Sequence, residues 1–436
     1  MYSFFYNYIF IPIALVFVKF FKKTNPKLAE REENCQKSWK VLDTLSKSGS
    51  RIWFHSASMG EFEQVKPVIE AIKNMNHDVK IVCSFFSPSG FNTQLNYPYA
   101  DAIVYLPLDT KRNAKEFIKL VKPDVAVFVR YEIWRNHLRV LQEKGIPRVL
   151  INATQPSNSF YRNFILTRGF IRSSMSLFNN IFTVGRKHTK YFKKIRVRSY
   201  IRTMTDTRYD RIISKIQEAK TDMVIPREIF HEDECVLIAG STWEDDERLI
   251  YKAVSDLRQE LNIKIRVVYV PHEPTQERLN FLSNLIGNNI YLSELTDHLS
   301  ISKSYKEIRS LIADKDIVCD SIGKLLKIYA TGDFAYIGGG FGAGVHSLAE
   351  AAGYGLPLAC GYNIKKSYDA EFLLQNNALQ IVSSAKQFEQ WLYSIIVDED
   401  SRKNLGEIAQ NYIYQSAGSS RLIAFKILNK LKKIEE

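Results

Sequence analysis

The stretch that decides the fold lies at residues 336–361 and reads YIGGGFGAGVHSLAEAAGYGLPLACG. A strand-like run over 333–337 enters a cluster of glycines, and a helix-like stretch and a second short strand follow. Glycines at a turn from strand to helix usually let the backbone approach a phosphate. The stretch therefore predicts an α/β domain with a phosphate-binding turn at the carboxyl end of one strand.

Short β-rich runs alternate with helix-like stretches over most of the chain, which predicts βαβ units and parallel sheets. The rhythm blurs between about residues 155 and 232, so that the runs fall into two groups. We therefore expect two doubly wound domains that face each other across a cleft and bind ligands beyond their strand ends. The runs lie at 51–56, 79–86, 101–108, 124–130 and 148–154, and then at 235–242, 264–272, 316–321, 333–339, 356–361 and 379–384.

The charge balance indicates an anionic partner. The 436 residues include 60 Lys and Arg against 47 Asp and Glu, a net charge of +13. Such an excess suits a nucleic acid, a phosphorylated small molecule or an acidic membrane surface. No nucleic-acid-binding motif is recognisable, so we expect no nucleic acid partner. The five cysteines are scattered without a Cys-x-x-Cys pair, which indicates reduced thiols and argues against a zinc site.

The first eighteen residues, MYSFFYNYIFIPIALVFV, carry no charged side chain, and Lys19, Lys22 and Lys23 follow them. The length reaches the lower limit for crossing a bilayer, and the tyrosines suit its interface. We expect residues 1–23 to form a membrane anchor that spans the bilayer or lies in its interface. The lysines favour a cytoplasmic body. The alternative is an amphipathic helix docked on the protein.

Gly338, Gly340 and Ala343 formally match the dinucleotide fingerprint G-x-G-x-x-A. That fingerprint also needs an acidic residue at the end of the next strand, and after the strand-like run 356–361 no carboxylate occurs until Asp369. A nicotinamide or flavin enzyme is therefore disfavoured. Ser347 and Glu350 are spaced as a capping box, a structural way to begin a helix. The same Glu, beside a phosphate turn, suits a carboxylate that binds a ribose diol, and both interpretations stay open.

The segment HSASMGEFEQ at 55–64 repeats this logic in the first domain. A strand ends, a Ser/Gly turn follows, and Glu61 begins the next helix. Ser58 and Glu61 again match a capping box. The functional alternative is a general base that takes a proton from an attacking hydroxyl. The place of Glu61 at a helix N-terminus would keep its carboxylate ionised, as a base must be. His55 alone is interpreted as a packed histidine.

Six segments in order resemble the 3-deoxy-D-manno-octulosonic acid (Kdo) transferases of lipopolysaccharide synthesis. The resemblance implies the GT-B fold: an anchor over 1–23, a Rossmann-like acceptor domain over 24–205, and a Rossmann-like donor domain over 206–436 with closing helices. The segments are IWFHSASMGE (52–61), DTRYDR (206–211), AGSTWEDDE (239–247), VPHEP (270–274), DSIGKL (320–325) and GGGFGAGVHSLAEAAGYGLPLACG (338–361).

The resemblance implies an inverting enzyme that moves Kdo from CMP-Kdo to a lipid A precursor, lipid IVA, without a covalent intermediate. It implies a place at the cytoplasmic side of the inner membrane of a Gram-negative bacterium, against an anionic surface, and no metal or cofactor. One alternative is a UDP-sugar-dependent GT-B glycosyltransferase or 2-epimerase of envelope synthesis. Another is a tethered binding protein without catalysis.

The resemblance also implies site residues. Glu61 matches the general base. Backbone groups of the glycine turn, among them Gly339 and Gly340, and the dipole of a helix over 345–353 are expected to stabilise the departing phosphate. The chain departs from the usual family pattern at Lys324 and Ser347. The remaining CMP-binding positions are Pro271, His272, Ile322, Gly323, Lys324, Ser347, Leu348, Ala349 and Glu350.

Two further segments have an ordinary structural interpretation beside the functional one. Asp314 and Asp316 formally spell Asp-x-Asp, which binds metal in other proteins, but we interpret them as a solvated turn. The basic run RKHTKYFKKIRVRSYIR at 186–202 is the best candidate for contact with anionic lipid. An ordinary solvated helix and hairpin is an equally good interpretation of that run.

Overall fold

The computed structural model describes residues 2–45, 49–156, 158, 162, 164–302, 304–365 and 367–435. The chain divides into two compact units. The first comprises Met1–Arg211 with Ser416–Glu436, and the second comprises Ile212–Gln415. Each unit is built on its own parallel sheet of seven strands, so the predicted α/β class with two doubly wound units is confirmed.

The sheet of the first unit is parallel throughout, with strand order β3-β2-β1-β4-β5-β6-β7. Its central strands are buried on both faces, as helix-covered parallel strands must be. The strands are β1 (Arg51–Ser56), β2 (Lys80–Phe85), β3 (Ala102–Tyr105), β4 (Val125–Val129), β5 (Arg148–Ala153), β6 (Asn180–Val184) and β7 (Tyr200–Met204). The described helices before β7 are α1 (Tyr2–Phe21), α2 (Pro26–Ser38), α3 (Met59–Met75), α4 (Pro88–Gln94), α5 (Lys111–Val121), α6 (Arg135–Glu143), α7 (Ile165–Met175) and α8 (Gly185–Lys194).

The N-terminal helix α1 has 20 residues, long and apolar enough to cross a membrane. Its beginning is docked on the first unit, because the Tyr6 hydroxyl donates to Asp109 Oδ2 at 2.7 Å and Asn136 Nδ2 donates to Asn7 Oδ1 at 2.8 Å. Asp109 also accepts from the backbone and ring of His137. Most of the other large side chains of α1 are exposed. The helix therefore combines a docked polar start with an uncovered apolar surface.

The second sheet has strand order β10-β11-β9-β8-β12-β13-β14, again all parallel. The strands are β8 (Cys235–Thr242), β9 (Ile265–Pro271), β10 (Asn289–Tyr291), β11 (Asp316–Val318), β12 (Phe334–Ile337), β13 (Leu358–Gly361) and β14 (Leu379–Val382). The helices are α9 (Arg208–Thr221), within which the two units divide, α10 (Glu244–Leu261), α11 (Gln276–Ile286), α12 (Leu292–Ile301), α13 (Tyr305–Leu311), α14 (Leu325–Ile328), α15 (Ala349–Tyr354), α16 (Tyr368–Gln375), α17 (Ala385–Val397) and α18 (Glu399–Gln415).

The last helix, α19 (Ser419–Glu435), belongs to the first unit. It packs against α3, and Ile423 and Ile427 are fully buried in the same core as β1. Burial of each such side chain stabilises the unit by about 1.5–3 kcal/mol. Asp210 holds the start of the helix by accepting from the Gly418 and Ser420 amides. The prediction places 206–436 in one C-terminal domain, whereas the structure assigns Ser416–Glu436 to the first unit.

Three strands and one carboxylate differ from the sequence expectations. β6 and β7 lie where the strand rhythm blurs, and β10 has only three residues. The interpretation of Asp316 as solvated is wrong, because its carboxylate is buried, accepts from Val267 N and pairs with Arg258. Burial of that carboxylate is tolerated because a bidentate guanidinium and a backbone amide satisfy it.

Candidate active site

The first sheet changes direction between β1 and β4, its topological switch point. From β1 the chain passes to β2 on one side, whereas β4, reached after β3, pairs with β1 on the other side. In open parallel sheets the crevice at the carboxyl ends of these two strands is where ligands bind. His55 lies in β1, Glu61 in the first turn of α3, and Glu132 three residues after β4. The switch point therefore gathers two carboxylates and an imidazole.

One oxygen of the Glu61 carboxylate accepts a hydrogen bond from the backbone, and the other is left without a partner among the described residues. Ser58 is the N-cap of α3 and its hydroxyl faces the Glu61 amide at 3.5 Å. Glu61 Oε2 in turn accepts from the Ala57 amide at 2.7 Å. The predicted structural capping interaction is thus present, although it uses the amide before the N-cap. Glu61 Oε1 has no hydrogen-bond partner among the described residues, so the cap leaves one oxygen for chemistry.

Glu132 was not singled out from the sequence. Its Oε2 accepts from Trp134 Nε1 at 2.8 Å and lies 3.5 Å from His55 Nε2. The other ring nitrogen of His55 lies 3.0 Å from Ser84 Oγ. His55 is fully buried, which agrees with its interpretation as a packed histidine. A carboxylate just after a predicted strand is the sequence signal that could have pointed to Glu132.

The pKa of the Glu61 carboxyl is raised, first by burial and then by the negative charge of Glu132. The Ala57 amide, His55 and the Ser58 amide act in the opposite direction with smaller effect. The sequence expectation that the helix terminus keeps this group ionised did not include burial and the charge of Glu132. A carboxylate with a raised pKa is the stronger base, which suits proton abstraction near neutral pH.

We expect Glu132→Gln to shift the acidic limb of the pH–rate profile to lower pH. Only the ionised base accepts a proton, so the rate falls as the pH falls through the raised pKa of Glu61. Removal of the Glu132 charge lowers that pKa, and the amide oxygen of Gln still accepts from Trp134. The measurement is the rate of the catalysed reaction between about pH 4 and 9. Glu116→Gln, which removes a charge from an exposed position on α5, should leave the profile in place; an unmoved profile in Glu132→Gln would contradict the coupling.

The second sheet has its switch point between β8 and β12, since β8 pairs with β9 on one side and with β12 on the other. The neighbouring strands β11, β9, β8 and β12 all end at one edge. The predicted donor segments follow three of them: Ile322 to Lys324 after β11, Pro271 and His272 at the end of β9, and Gly339 and Gly340 after β12. The structure therefore brings these segments to the same edge.

The glycine turn is defined by close approach of backbones. A Cβ on Gly338 would lie 2.3 Å from Ser241 O, and one on Gly340 would lie 2.6 Å from backbone atoms of Gly361. Gly339 has φ of +88°, the left-handed region that glycine adopts without strain. These positions need glycine for packing and conformation, whether or not a phosphate binds.

The buried carboxylate of Asp246 organises this turn and was missed from the sequence. It accepts from the Gly339 amide at 2.9 Å, the Trp243 amide at 3.0 Å and the Tyr336 hydroxyl at 2.8 Å. The Gly339 amide is therefore already used. The amides of Gly340, Phe341 and Ala343 have no hydrogen-bond partner among the described residues, and these three are the turn's available donors for an anion.

An aromatic cluster lies beside the turn. The rings of His272 and His346 stack with centroids 4.1 Å apart, and Trp243 Nε1 donates to His346 Nε2 at 3.1 Å. Burial and the neighbouring His272 lower the pKa of His346, so its ring is neutral and able to accept. Flat rings at a strand edge offer stacking surfaces for a nucleobase. Only His272 of these three was predicted as a site residue.

The other predicted donor residues lie in two short segments. Ile322 is 85% exposed, Gly323 has φ of +84°, and Lys324 occupies the N-cap position of α14 without a side-chain capping hydrogen bond. Pro271 is buried at the end of β9, whereas His272 is exposed. Among the described residues no group of three or more His, Cys, Asp or Glu side chains is placed to hold a metal ion.

The helix after the turn differs from its prediction. It is α15, six residues long and preceded by Leu348 as N-cap, rather than a helix over 345–353. Ser347 is exposed and does not cap it, so the capping-box interpretation of Ser347 and Glu350 is wrong. Burial raises the pKa of Glu350, and the nearby Lys215 opposes that shift. Glu350 and the fully buried Ala349 occupy the first turn of α15.

The arrangement of strands and switch points defines the class of fold. The structure of UDP-GlcNAc 2-epimerase from Neisseria meningitidis matches 87% of this chain and 100% of its own, with a TM-score of 0.61 and 11% identity. The structure of MurG from Acinetobacter baumannii matches 87% of this chain and 100% of its own, with a TM-score of 0.51 and 12% identity. Likeness at this level of identity shows the fold alone. The expected GT-B class of two doubly wound units is confirmed.

Sequence relatives narrow the class to a family. Residues 22–211 match the family model described as 3-Deoxy-D-manno-octulosonic-acid transferase (kdotransferase). The 3-deoxy-D-manno-octulosonic acid transferase of Haemophilus influenzae is 22% identical over 435 residues, 96% of each chain. That of Rickettsia prowazekii is 24% identical over 375 residues, 84% of this chain and 76% of its own. The predicted resemblance to the Kdo transferases is therefore confirmed.

Proposed function

We propose that the protein transfers Kdo from CMP-Kdo to a lipid A precursor, lipid IVA, with inversion at the anomeric carbon. The observation that carries the proposal is the match to Kdo transferases over nearly the whole chain. The free oxygen of Glu61 at a switch point, with a raised pKa, supplies the chemistry that such a transfer needs.

In this mechanism Glu61 Oε1 removes the proton from an acceptor hydroxyl. The resulting oxygen nucleophile attacks the anomeric carbon of Kdo from the side opposite CMP. The bond between that carbon and the CMP phosphate oxygen breaks, and CMP departs with the electron pair. The proton stays on Glu61 until solvent removes it. Attack from the opposite side inverts the carbon, and no covalent enzyme intermediate forms.

We assign CMP binding to the carboxyl edge of the second sheet. Pro271, His272, Ile322 and Gly323 would line the nucleotide, with the exposed His272 ring as a stacking surface. The amide of Gly340 and the Lys324 ammonium would stabilise the departing phosphate. The segment Ser347, Leu348, Ala349 and Glu350 would hold the ribose, with the Glu350 carboxylate accepting from its hydroxyls. No step requires a metal or a cofactor.

We further propose that α1 anchors the enzyme at the cytoplasmic side of the inner membrane. Its length, its uncovered apolar side chains and the lysines that follow it support this assignment. The net charge of +13 supports contact with an anionic membrane surface. Residues 24–205 would then act as the acceptor domain, and the second sheet as the donor domain.

The experiment that tests the function is a transfer assay in detergent. Full-length protein is mixed with enzymatically generated CMP-Kdo and tetra-acylated lipid A precursor, and the lipid is followed by mass spectrometry. A mass increase of one or more Kdo units is expected. No increase, while a known Kdo transferase is active in the same mixture, would overturn the proposal. Tighter binding of UDP than of CMP would then favour a UDP-sugar glycosyltransferase or 2-epimerase.

We expect Lys324→Ala to weaken CMP binding about tenfold, because one charged contact to a phosphate contributes about 1.5 kcal/mol. The Kd for CMP is measured by isothermal titration calorimetry at fixed salt. Lys306→Ala, which removes a charge from an exposed position on α13 of the same unit, is the control. Equal CMP affinity in all three proteins would remove Lys324 from the donor site.

A further inference from the structure

A cavity of about 280 Å³ lies beyond the carboxyl ends of β5 and β6 in the first unit. Its volume is slightly below the usual range for small-molecule pockets, which suits a head group rather than a whole lipid. Lys187, Lys190, Tyr191 and Lys194 share one face of α8, at spacings of three and four residues. The lining also includes Gln155 after β5 and Arg168 of α7.

Four cations of this cavity lack an acidic counterpart among the described residues. The lining contains no Asp or Glu, and Arg168, Lys187, Lys190 and Lys194 form no ion pair among the described residues. The segment 144–205 contains 13 Lys and Arg and no Asp or Glu, so it alone accounts for a charge equal to the net +13 of the chain. Like charges gathered without partners destabilise one another, and a bound anion removes that repulsion.

One polar group of the lining points to a ligand independently of the charges. The Tyr191 hydroxyl is buried and has no hydrogen-bond partner among the described residues. A buried hydroxyl without a partner costs about 1–3 kcal/mol. A phosphate oxygen in the cavity would accept from this hydroxyl and from the ammonium groups of α8.

The surroundings of the cavity indicate a lipid rather than a soluble anion. Arg168 is followed in α7 by Gly169 and Phe170, which contact the N-terminal helix: a Cβ on Gly169 would collide with the Tyr2 hydroxyl, and Phe170 packs edge-on against Tyr2. At the start of α7, Ile165 and Leu166 are 76% and 54% exposed. An anion site thus adjoins an exposed apolar surface, the arrangement that an amphiphile with a phosphorylated head requires.

We propose that this cavity binds a phosphate monoester on the head group of the acceptor lipid. The inference rests on the proposed function, because it assigns the phosphate to the molecule that receives Kdo. β5 and β6 lie two and three strands from β1, so at ordinary strand spacing the cavity is about 10–15 Å along the sheet edge from Glu61. A phosphate held there would fix where the acceptor hydroxyl lies relative to the base.

Binding and kinetics together test the proposal on full-length protein in detergent. The double variant Lys187→Gln with Lys190→Gln removes two charges from the cavity. Arg186→Gln with Lys193→Gln removes two charges from α8 outside the lining and is the matched control. Calorimetry measures the Kd for dioctanoyl phosphatidic acid, with dioctanoyl phosphatidylcholine as the probe that lacks a phosphate monoester. Kinetics compare the KM for the phosphorylated acceptor with that for the same acceptor after phosphatase treatment.

In the cavity variant we expect at least tenfold weaker binding of phosphatidic acid, an acceptor KM raised about tenfold, and an unchanged KM for CMP-Kdo. The wild type and control should prefer the phosphorylated acceptor, and the cavity variant should lose that preference. Weaker binding of phosphatidic acid with the preference intact would overturn the assignment, because the cavity would then serve bulk membrane phospholipid. Unchanged binding and kinetics would overturn the site itself. If the wild type transfers no Kdo, the proposed function fails, and the binding arm alone still decides whether the cavity takes a lipid phosphate.

Discussion

Glu61→Gln should lower the rate of Kdo transfer by about 10² to 10⁴-fold, the range typical for loss of a general base. The amide has nearly the same shape as the carboxylate but cannot accept a proton at neutral pH. The rate is measured in single turnover with saturating CMP-Kdo and acceptor, so that substrate affinity does not enter. CMP binding should be unchanged, because the predicted CMP residues belong to the second unit.

The substitution separates catalysis from helix capping. The Oε1 of Gln can still accept from the Ala57 amide, so the start of α3 stays satisfied. Glu61→Ala loses this interaction as well and should destabilise the protein by about 1 kcal/mol. Thermal unfolding of both variants measures that difference. A Glu61→Gln enzyme that retains a tenth or more of the wild-type rate would show that Glu61 acts as a cap alone.

Gly340→Ala should destabilise the second unit by about 3 kcal/mol, at the upper end of the usual cost of overpacking. The added Cβ would lie 2.6 Å from the N and Cα atoms of Gly361. Both obstacles are backbone, so no side-chain rotation relieves the collision, and the ends of β12 and β13 must separate. For a unit of this size the expected decrease in Tm is about 6–12 °C. CMP affinity should fall with it, since the turn amides move.

Gly342→Ala is the matched control for this steric argument. It lies in the same turn, a Cβ added there would meet no atom within 4 Å, and the position does not require a positive φ. Its Tm and CMP affinity should stay close to those of the wild type. Equal damage by both substitutions would show that the turn is sensitive to any side chain, and the close approach to Gly361 would not explain the glycine.

The sequence predicted the class of fold because its signals are local. A turn glycine, or a short continuous apolar run such as Val125–Val129, is recognisable within a few residues. β7 was missed because it is an edge strand with mostly exposed side chains, a pattern that is also typical of a polar loop. β10 was missed because it has only three residues, too few for a strong pattern.

The candidate site was predictable only in part, because its contacts join distant segments. Glu61 could be identified from its place between a strand and a helix. Its neighbour Glu132 follows β4, and nothing local indicates that β4 pairs with β1 rather than with β3. Asp246 likewise acts on Gly339, 93 residues away along the chain. The return of α19 to the first unit depends on which core its apolar face fits, which its own periodicity does not specify.

The docking of α1 has a consequence for how the enzyme would meet its substrate. Tyr6 and Asn7 form hydrogen bonds with Asp109 and Asn136. The start of the helix is therefore fixed to the first unit and is not joined to it by a flexible linker. A bilayer that holds this helix also holds the sheet edge with Glu61 at one height and one tilt. If α1 lies in the bilayer, as proposed, encounters with a lipid acceptor would occur by lateral diffusion in two dimensions. The rate of encounter would then depend on the surface density of the acceptor in the membrane rather than on its concentration per volume of solution.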